Sequence, residues 1–314
     1  DYYASRGLGD VYKRQIPAFL VMIFYVIMYA LNMSTVPMLT MIAMNYINEG
    51  TYVNFGLARG IGSASWATSA LIFGQAVSFL GANILSIAYC VFALVTLFIL
   101  YHLPESKITK TKTEEVQEEG SVVTVIKKYK IFFFLLLGFC FMFSGATAIG
   151  TYLINIVKSL GGNTSLYGVA MFAMAFSELP VMMTVPKLMK KFNSVTLILV
   201  ASIFYICRNY TIGLAPNLIV LIIGMMFQGL SYGLFTGVIT YYVTYNLDTQ
   251  DQMSGQTMIG IMTSGIGSTL GNVLGGILQD TIGLNALFTF VYLMTALGAV
   301  IIFICKFVSI KVKK

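Results

Sequence analysis

The chain is short of charge. Only 10% of its 314 residues are Asp, Glu, Lys or Arg, against about 25% in a soluble domain. It has one histidine, His102, and one tryptophan, Trp66. Its four cysteines, Cys90, Cys140, Cys207 and Cys305, each lie in an apolar run with no metal-ligand spacing. Zinc-site, disulfide and Cys–His nucleophile readings all lack partners, so the cysteines read as small apolar packing residues. No metal and no cofactor is implied. An intramembrane enzyme would need a nucleophile–base pair or metal ligands, which one His and one buried acid do not supply. A receptor or scaffold would show a large soluble domain or a signalling motif, and neither is seen.

What fills the chain instead is apolar: 58% of residues are hydrophobic. A soluble protein of that composition would expose large apolar patches and aggregate. The composition therefore describes an all-α membrane protein embedded in the lipid bilayer. The net charge of +7 is no argument for nucleic acid, because the lysines sit mainly in short loops between apolar runs.

About 20 apolar residues cross a bilayer as a helix. On that template nine spans are expected, at 16–46, 57–79, 83–103, 131–157, 164–185, 195–213, 217–246, 255–279 and 284–307. One hydrophilic segment, 104–130, interrupts them and reads as a cytoplasmic linker. With nine alternating spans, Lys107, Lys110, Lys112, Lys127, Lys128, Lys130, Lys187, Lys190, Lys191, Lys306, Lys311, Lys313 and Lys314 all fall on one side. By the positive-inside rule that side is the cytoplasm, so the tail 308–314 is cytoplasmic, in a bacterial cytoplasmic membrane. Within the body of the chain only Lys158 breaks the rule, and the stretch "DYYASRGLGDVYKRQ" breaks it further, putting Arg6, Lys13 and Arg14 on the outside. Residues 1–15 have no apolar core and resemble translated adapter read-through, so they are expected to be foreign to the protein.

Three spans (16–103), a linker and six spans (131–307) suggest a twelve-span protein in two repeated halves, with its first three spans missing. The fifth and eleventh of twelve should then match. "GQAVSFLGAN" from Gly74 and "GILQDTIGLN" from Gly276 each carry Gly, a second Gly seven residues on, and Asn within two more, at an offset of 202. Gly267, Gly271 and Gly275 line one helical face, and Gly60, Ser63 and Ala67 nearly do. Such faces let helix backbones approach closely in lipid.

Three segments carry a resemblance. "NFGLARGIGSASW" (54–66), "SELPVMMTVPKLMKKF" with "YICRNY", and "FQGLSYGLF" followed by "GSTLGNVLGGILQDTIG" are similar to the fifth, eighth and ninth, and tenth and eleventh spans of the major facilitator superfamily. Within it the chain most resembles the oligosaccharide and nucleoside proton symporters. The resemblance implies a major-facilitator-like helical bundle that moves solute by alternating access. It implies that Arg59 and Trp66 bind substrate, and that Glu178 and Arg208 match an intramembrane acid and arginine. Departures exist: Thr40, Gln228 and Ser231 stand where the lactose permease group has an acid, a histidine and an acid. Proton coupling then rests on Glu178.

Among twelve acids, only Glu178 lies inside a span. A carboxylate in hydrocarbon needs a partner or a task. It either pairs with Arg208 to hold two helices together or carries protons or substrate. Arg208 alone could snorkel to the outer interface, and Arg59 could be an inner-interface anchor. Trp66 is either a stacking platform for a ring or a packing residue. Asn32, Thr40, Asn209, Gln228, Ser231 and Tyr232 could hydrogen-bond a hydroxyl-rich ligand, or tie helices together. The expected function is proton-coupled symport of a small polar solute, nucleoside or sugar-like, by a monomer. The alternative is an uncoupled facilitator or a drug or metabolite exporter.

Overall fold

A computed structural model describes residues 18–51, 54–81, 83–103 and 121–312. The expected foreign segment 1–15 and most of the linker, 104–120, lie outside the described residues. Helices α1 (Ala18–Asn48), α2 (Phe55–Leu80) and α3 (Asn83–Tyr101) come first. A short helix α4 (Val122–Lys128) leads into α5 (Lys130–Ser159), α6 (Thr164–Lys191) and α7 (Ser194–Gly213). Then come α8 (Leu218–Met226), α9 (Leu234–Asn246), α10 (Gln252–Gly260), α11 (Ser268–Thr281) and α12 (Leu284–Val312). Among the described residues there is no strand. α8 and α9 form one span, joined through a π-helical turn at Gly229–Gly233, and α10 and α11 form another through a π-helical stretch at Ile261–Gly267.

Among the described residues, eight spans are long and apolar enough to cross a bilayer, one fewer than the nine expected. The one left out is α2, a helix of 26 residues. Its glycines, serines and Arg59 dilute its hydropathy. That dilution follows from its packing: a β-carbon at Gly56 would overlap the Met182 carbonyl oxygen, and one at Gly60 would press on Leu179.

The core sits in the six later spans. Phe132, Leu135, Leu136, Phe139, Phe235, Val238 and Ile302 form its centre, and a second cluster gathers Ile149, Leu153, Ile212, Leu221, Leu287 and Val291. The glycine face of α11 lies on α5. Gly267 meets the Cys140 carbonyl, Gly275 meets the Ala148 methyl, and a β-carbon at Gly271 would overlap the Ser144 carbonyl. Without hydrophobic force between helices in lipid, such backbone contact supplies dispersion that side chains would block.

The two segments matched at an offset of 202 end alike. Gly81 closes α2 at φ +78° and Gly283 closes α11 at φ +110°. Both lie in the left-handed region that glycine adopts without strain. Of the four cysteines, Cys140 and Cys305 are buried, while Cys90 and Cys207 are exposed.

The end of the linker is not extended. α4 is capped by Ser121 and buries Val125 completely against the core. Lys128 Nζ reaches Asp248 Oδ2 and Asp251 Oδ2, each at 2.6 Å, in the loop between α9 and α10. The Tyr129 hydroxyl donates to Asp251 at 2.9 Å and accepts from the Asp248 amide at 3.0 Å. Linker and loop therefore meet at one end of the bundle, as alternating spans require.

Candidate functional site

Glu178 stands near the middle of α6, two residues before Pro180, through which the helix runs unbroken. Pro180 has no amide hydrogen, so the Phe176 carbonyl loses its usual partner. Glu178 is 5% exposed. Its Oε2 accepts from the Ser63 hydroxyl of α2, and its Oε1 accepts from Gln228 Nε2 at 3.2 Å. The π-helical turn holds Gln228 there. Gly229 comes so close to α6 that its amide donates to Ser177 Oγ at 3.0 Å, and a β-carbon on it would overlap the Ser177 carbonyl. Such single-turn widenings recur at functional sites because they re-aim one side chain without ending the helix.

Arg208 is 1% exposed and is no snorkelling residue. The residues after Val185 continue α6 to Lys191, six beyond the expected end. Glu178 is then 13 residues from the end of α6 and Arg208 14 residues from the start of α7, or about 20 and 21 Å by helical rise. The two groups share a depth, yet no ion pair joins them among the described residues. Arg208 donates instead to Asn209 Oδ1 at 2.9 Å, and its Nε has no partner. Its charge acts on Glu178 from beyond ion-pair range, as does that of Arg59. Two further buried atoms without partners, the Tyr205 hydroxyl and Gln228 Oε1, belong to the same neighbourhood.

Beside this cluster lies a cavity of about 430 Å³ between α1, α2 and the spans 218–246 and 249–281. Arg59, Tyr232 and Thr40 line it. Arg59 donates to the Tyr232 hydroxyl at 3.4 Å. Five other lining hydroxyls share a habit. Ser34, Thr40, Thr236, Thr240 and Thr263 each donate to a carbonyl of their own helix. The Gln256 amide donates to the Thr240 carbonyl at 3.2 Å. What these five can offer a ligand is oxygen lone pairs, while Arg59 and the hydroxyls of Tyr29, Tyr232, Thr257 and Ser264 can supply donors.

Five of the expected ligand contacts are absent from the cavity wall, among them Gln228, whose amide is bonded to Glu178. Asn209 is fully buried, and its amide donates to Thr295 Oγ1 of α12 at 2.7 Å while its oxygen holds Arg208; it ties α7 to α12. Ser231 is fully buried and donates to the Phe227 carbonyl at 2.8 Å within its own span. Trp66 is 53% exposed and outside the lining, as is the exposed Asn32. The sequence reading missed Ser63 as a partner of Glu178, having read it as one more small residue on a packing face. It also missed Thr236, Thr240, Gln256 and Thr263 in the wall. A signal existed: Thr236 and Thr240 repeat at four residues along one face of an otherwise apolar span.

A profile of the MFS_1 like family matches residues 12–290, most of the chain. The chain belongs to that family. Its members are major facilitator transporters rather than enzymes, and the fold is the one the resemblance implied. The chain is similar to a maltose permease of Geobacillus stearothermophilus, 22% identical over 283 residues, covering 90% of this chain and 71% of the permease. Among solved structures it is similar in fold to a fucose:proton symporter of E. coli, with a TM-score of 0.56 at 17% identity, covering 80% of this chain and 68% of the symporter.

Proposed function

We propose that the chain performs proton-coupled symport of a small polyhydroxylated solute, sugar-like before nucleoside-like, by alternating access in a bacterial cytoplasmic membrane. Arg59, Tyr232 and Thr40 meet the solute, and Glu178 carries the proton. The carrying observation is the setting of Glu178. Among the described residues it is the one carboxylate in the middle of a span, Asp251 and Asp280 lying at the two ends of theirs; it is bonded to neutral groups rather than to Arg208, and it lies where α2 of the first half meets α6 of the second. A carboxylate fixed by an ion pair has no reason to take up a proton. One held by a hydroxyl and an amide keeps both protonation states within reach.

The wall beside it, acceptors from the carbonyl-bonded hydroxyls together with donors from Arg59 and the remaining hydroxyls, suits a ligand rich in hydroxyls, which both donate and accept. The named cargoes of the two relatives, maltose and fucose, agree with a sugar. Solute and proton enter on the same side, and the C-terminus faces the cytoplasm. A second reading, an uncoupled facilitator, draws on the same neutral bonds, which also suit a carboxylate that never titrates. The test is uptake of labelled maltose, fucose and uridine by cells expressing the full gene, with and without a protonophore. Accumulation that collapses with the proton gradient and with Glu178→Gln supports symport. Accumulation in the Glu178→Gln protein that still depends on the gradient overturns it, and flux indifferent to the gradient assigns the facilitator.

A further inference from the structure

Three rungs join α2 to α6. Gly56 lies on the Met182 carbonyl, Gly60 on Leu179, and Ser63 donates to Glu178. The α2 residues are spaced four and three apart, so they share a face. α6 answers in reverse order, so the two helices run antiparallel. The first two rungs are contacts onto backbone and carry no titratable atom. Only the third changes with conditions.

We propose that Ser63 is a positioning residue that couples the protonation of Glu178 to the strength of the α2–α6 seam. The inference rests on the symport reading above. With Glu178 ionised, the Ser63 hydroxyl makes a charge-assisted bond across the halves, roughly twice as strong as a neutral one. Protonation reduces it to a neutral bond and loosens the single polar rung, while the glycine rungs keep the helices in register. A mobile interface between halves is what alternating access must open and close.

The charged and titratable groups around Glu178 leave this role to Ser63. Arg59 faces it from α2 but donates to Tyr232. From α7, Arg208 donates to Asn209, and the Tyr205 hydroxyl is unpartnered. Tyr232 is the only titratable residue of the π-helical turn, and Gln228 beside it is neutral. α8 has no ionisable residue. α5 holds Lys130 and Lys158 at its two ends, Cys140 against Gly267, and Tyr152 bonded to the Asn272 carbonyl. α9 holds Tyr241, Tyr242 and Tyr245 in its last turns. Among the described residues, Ser63 is the α2 side chain bonded to the carboxylate.

The test uses the full chain in nanodiscs, with native cysteines replaced and spin labels at Ile61→Cys on α2 and Val300→Cys on α12, both exposed. The distance distribution is followed from pH 5 to 9, without solute. We expect a pH-dependent separation that Glu178→Gln abolishes. Ser63→Ala is expected to move its midpoint to higher pH by about one unit, a tenfold change in apparent proton affinity, because a donor favouring the ionised form is gone. Ser63→Thr keeps the hydroxyl and returns the midpoint. If Glu178→Gln flattens the response but Ser63→Ala leaves the midpoint in place, the role of Ser63 falls and the coupling reading stands. A Ser63→Ala shift that threonine does not reverse also overturns it, since packing then explains the shift. A response that survives Glu178→Gln, or is absent in the unmodified chain, overturns the coupling reading and this inference together.

Discussion

The most apolar stretch of α5 is 61% buried, whereas the corresponding stretches of α1 and α3 are 0% buried. The same composition thus serves two ends. In the later spans, apolar side chains interdigitate around Phe139 and Phe235, whose rings stack. In those stretches of α1 and α3 they point outward, and attachment of the first three helices depends on a few places: Met44 and Phe55 set into the core, with Phe55 edge-on to Tyr241, and the glycine seam of α2 on α6. The difference teaches that hydropathy assigns spans but not cores. In lipid, an apolar residue gains nothing by leaving its solvent, so small residues that permit close approach decide what binds to what.

That contrast can be broken at its glycines. The largest effect is expected at Gly271→Leu. Even a β-carbon there overlaps the Ser144 backbone, which cannot move without disturbing α5. Overpacking commonly costs about 1–3 kcal/mol, and a leucine against fixed backbone belongs at or above the upper end. We expect little folded protein, with a lowered Tm for what remains, measured by a dye-monitored melt in detergent. Gly56→Ala places the same clash in the seam between the first three helices and the rest. There the later spans should stay folded while α2 shifts. Trp66 is the only tryptophan and lies on α2, so its emission should change with far-UV helicity nearly intact. Equal loss of helicity in both variants would show that the two regions fold as one unit.

A smaller effect is expected at Asn209. It joins α7 to α12 through Thr295 and steadies Arg208. Interhelical hydrogen bonds of this kind in membranes average about 0.6 kcal/mol and reach about 1.7. Asn209→Ala should fall near the upper end, because the Arg208 guanidinium also loses a buried partner. The readout is the denaturant midpoint of the later spans. A variant as stable as the parent would return Asn209 to the list of solute contacts.

The spans and their alternation were legible because composition and lysine placement are one-dimensional signals. The far end of α6 was not. "PKLMKKF" reads as a turn, yet Pro186 is tolerated within a helix whose last lysines suit its negative end. That single extension brings Glu178 and Arg208 level. Glu178 itself was legible as a lone acid in an apolar run. Its partners were not, because Ser63 lies 115 residues away and resembles its packing neighbours. Asn209 stayed open between ligand contact and helix tie for the same reason: an amide in a span looks identical whether it faces a ligand or Thr295.

The smallest effect is expected where the linker meets the later spans, outside the membrane. Lys128 holds the Asp248 carboxyl below its ordinary value of 3.8, and Asp248 and Asp251 together raise the Lys128 ammonium above its ordinary 10.5. For an aspartate lowered on folding, the stabilisation is complete above its unfolded value and disappears as pH falls through the folded one. For a lysine raised on folding, it is complete below 10.5 and disappears as pH climbs through the folded value. Docking of α4 should therefore be constant across the neutral range and weaken only toward strong acid or strong base. Asp248 is largely exposed, so salt screens the pair and the overall Tm should not move measurably with Lys128→Met. What should move is local. Amide exchange over Val122–Lys128 is expected to quicken in that variant at pH 7, with the core of the later spans unchanged. Exchange that stays slow would assign the docking to the buried Val125 rather than to the charges.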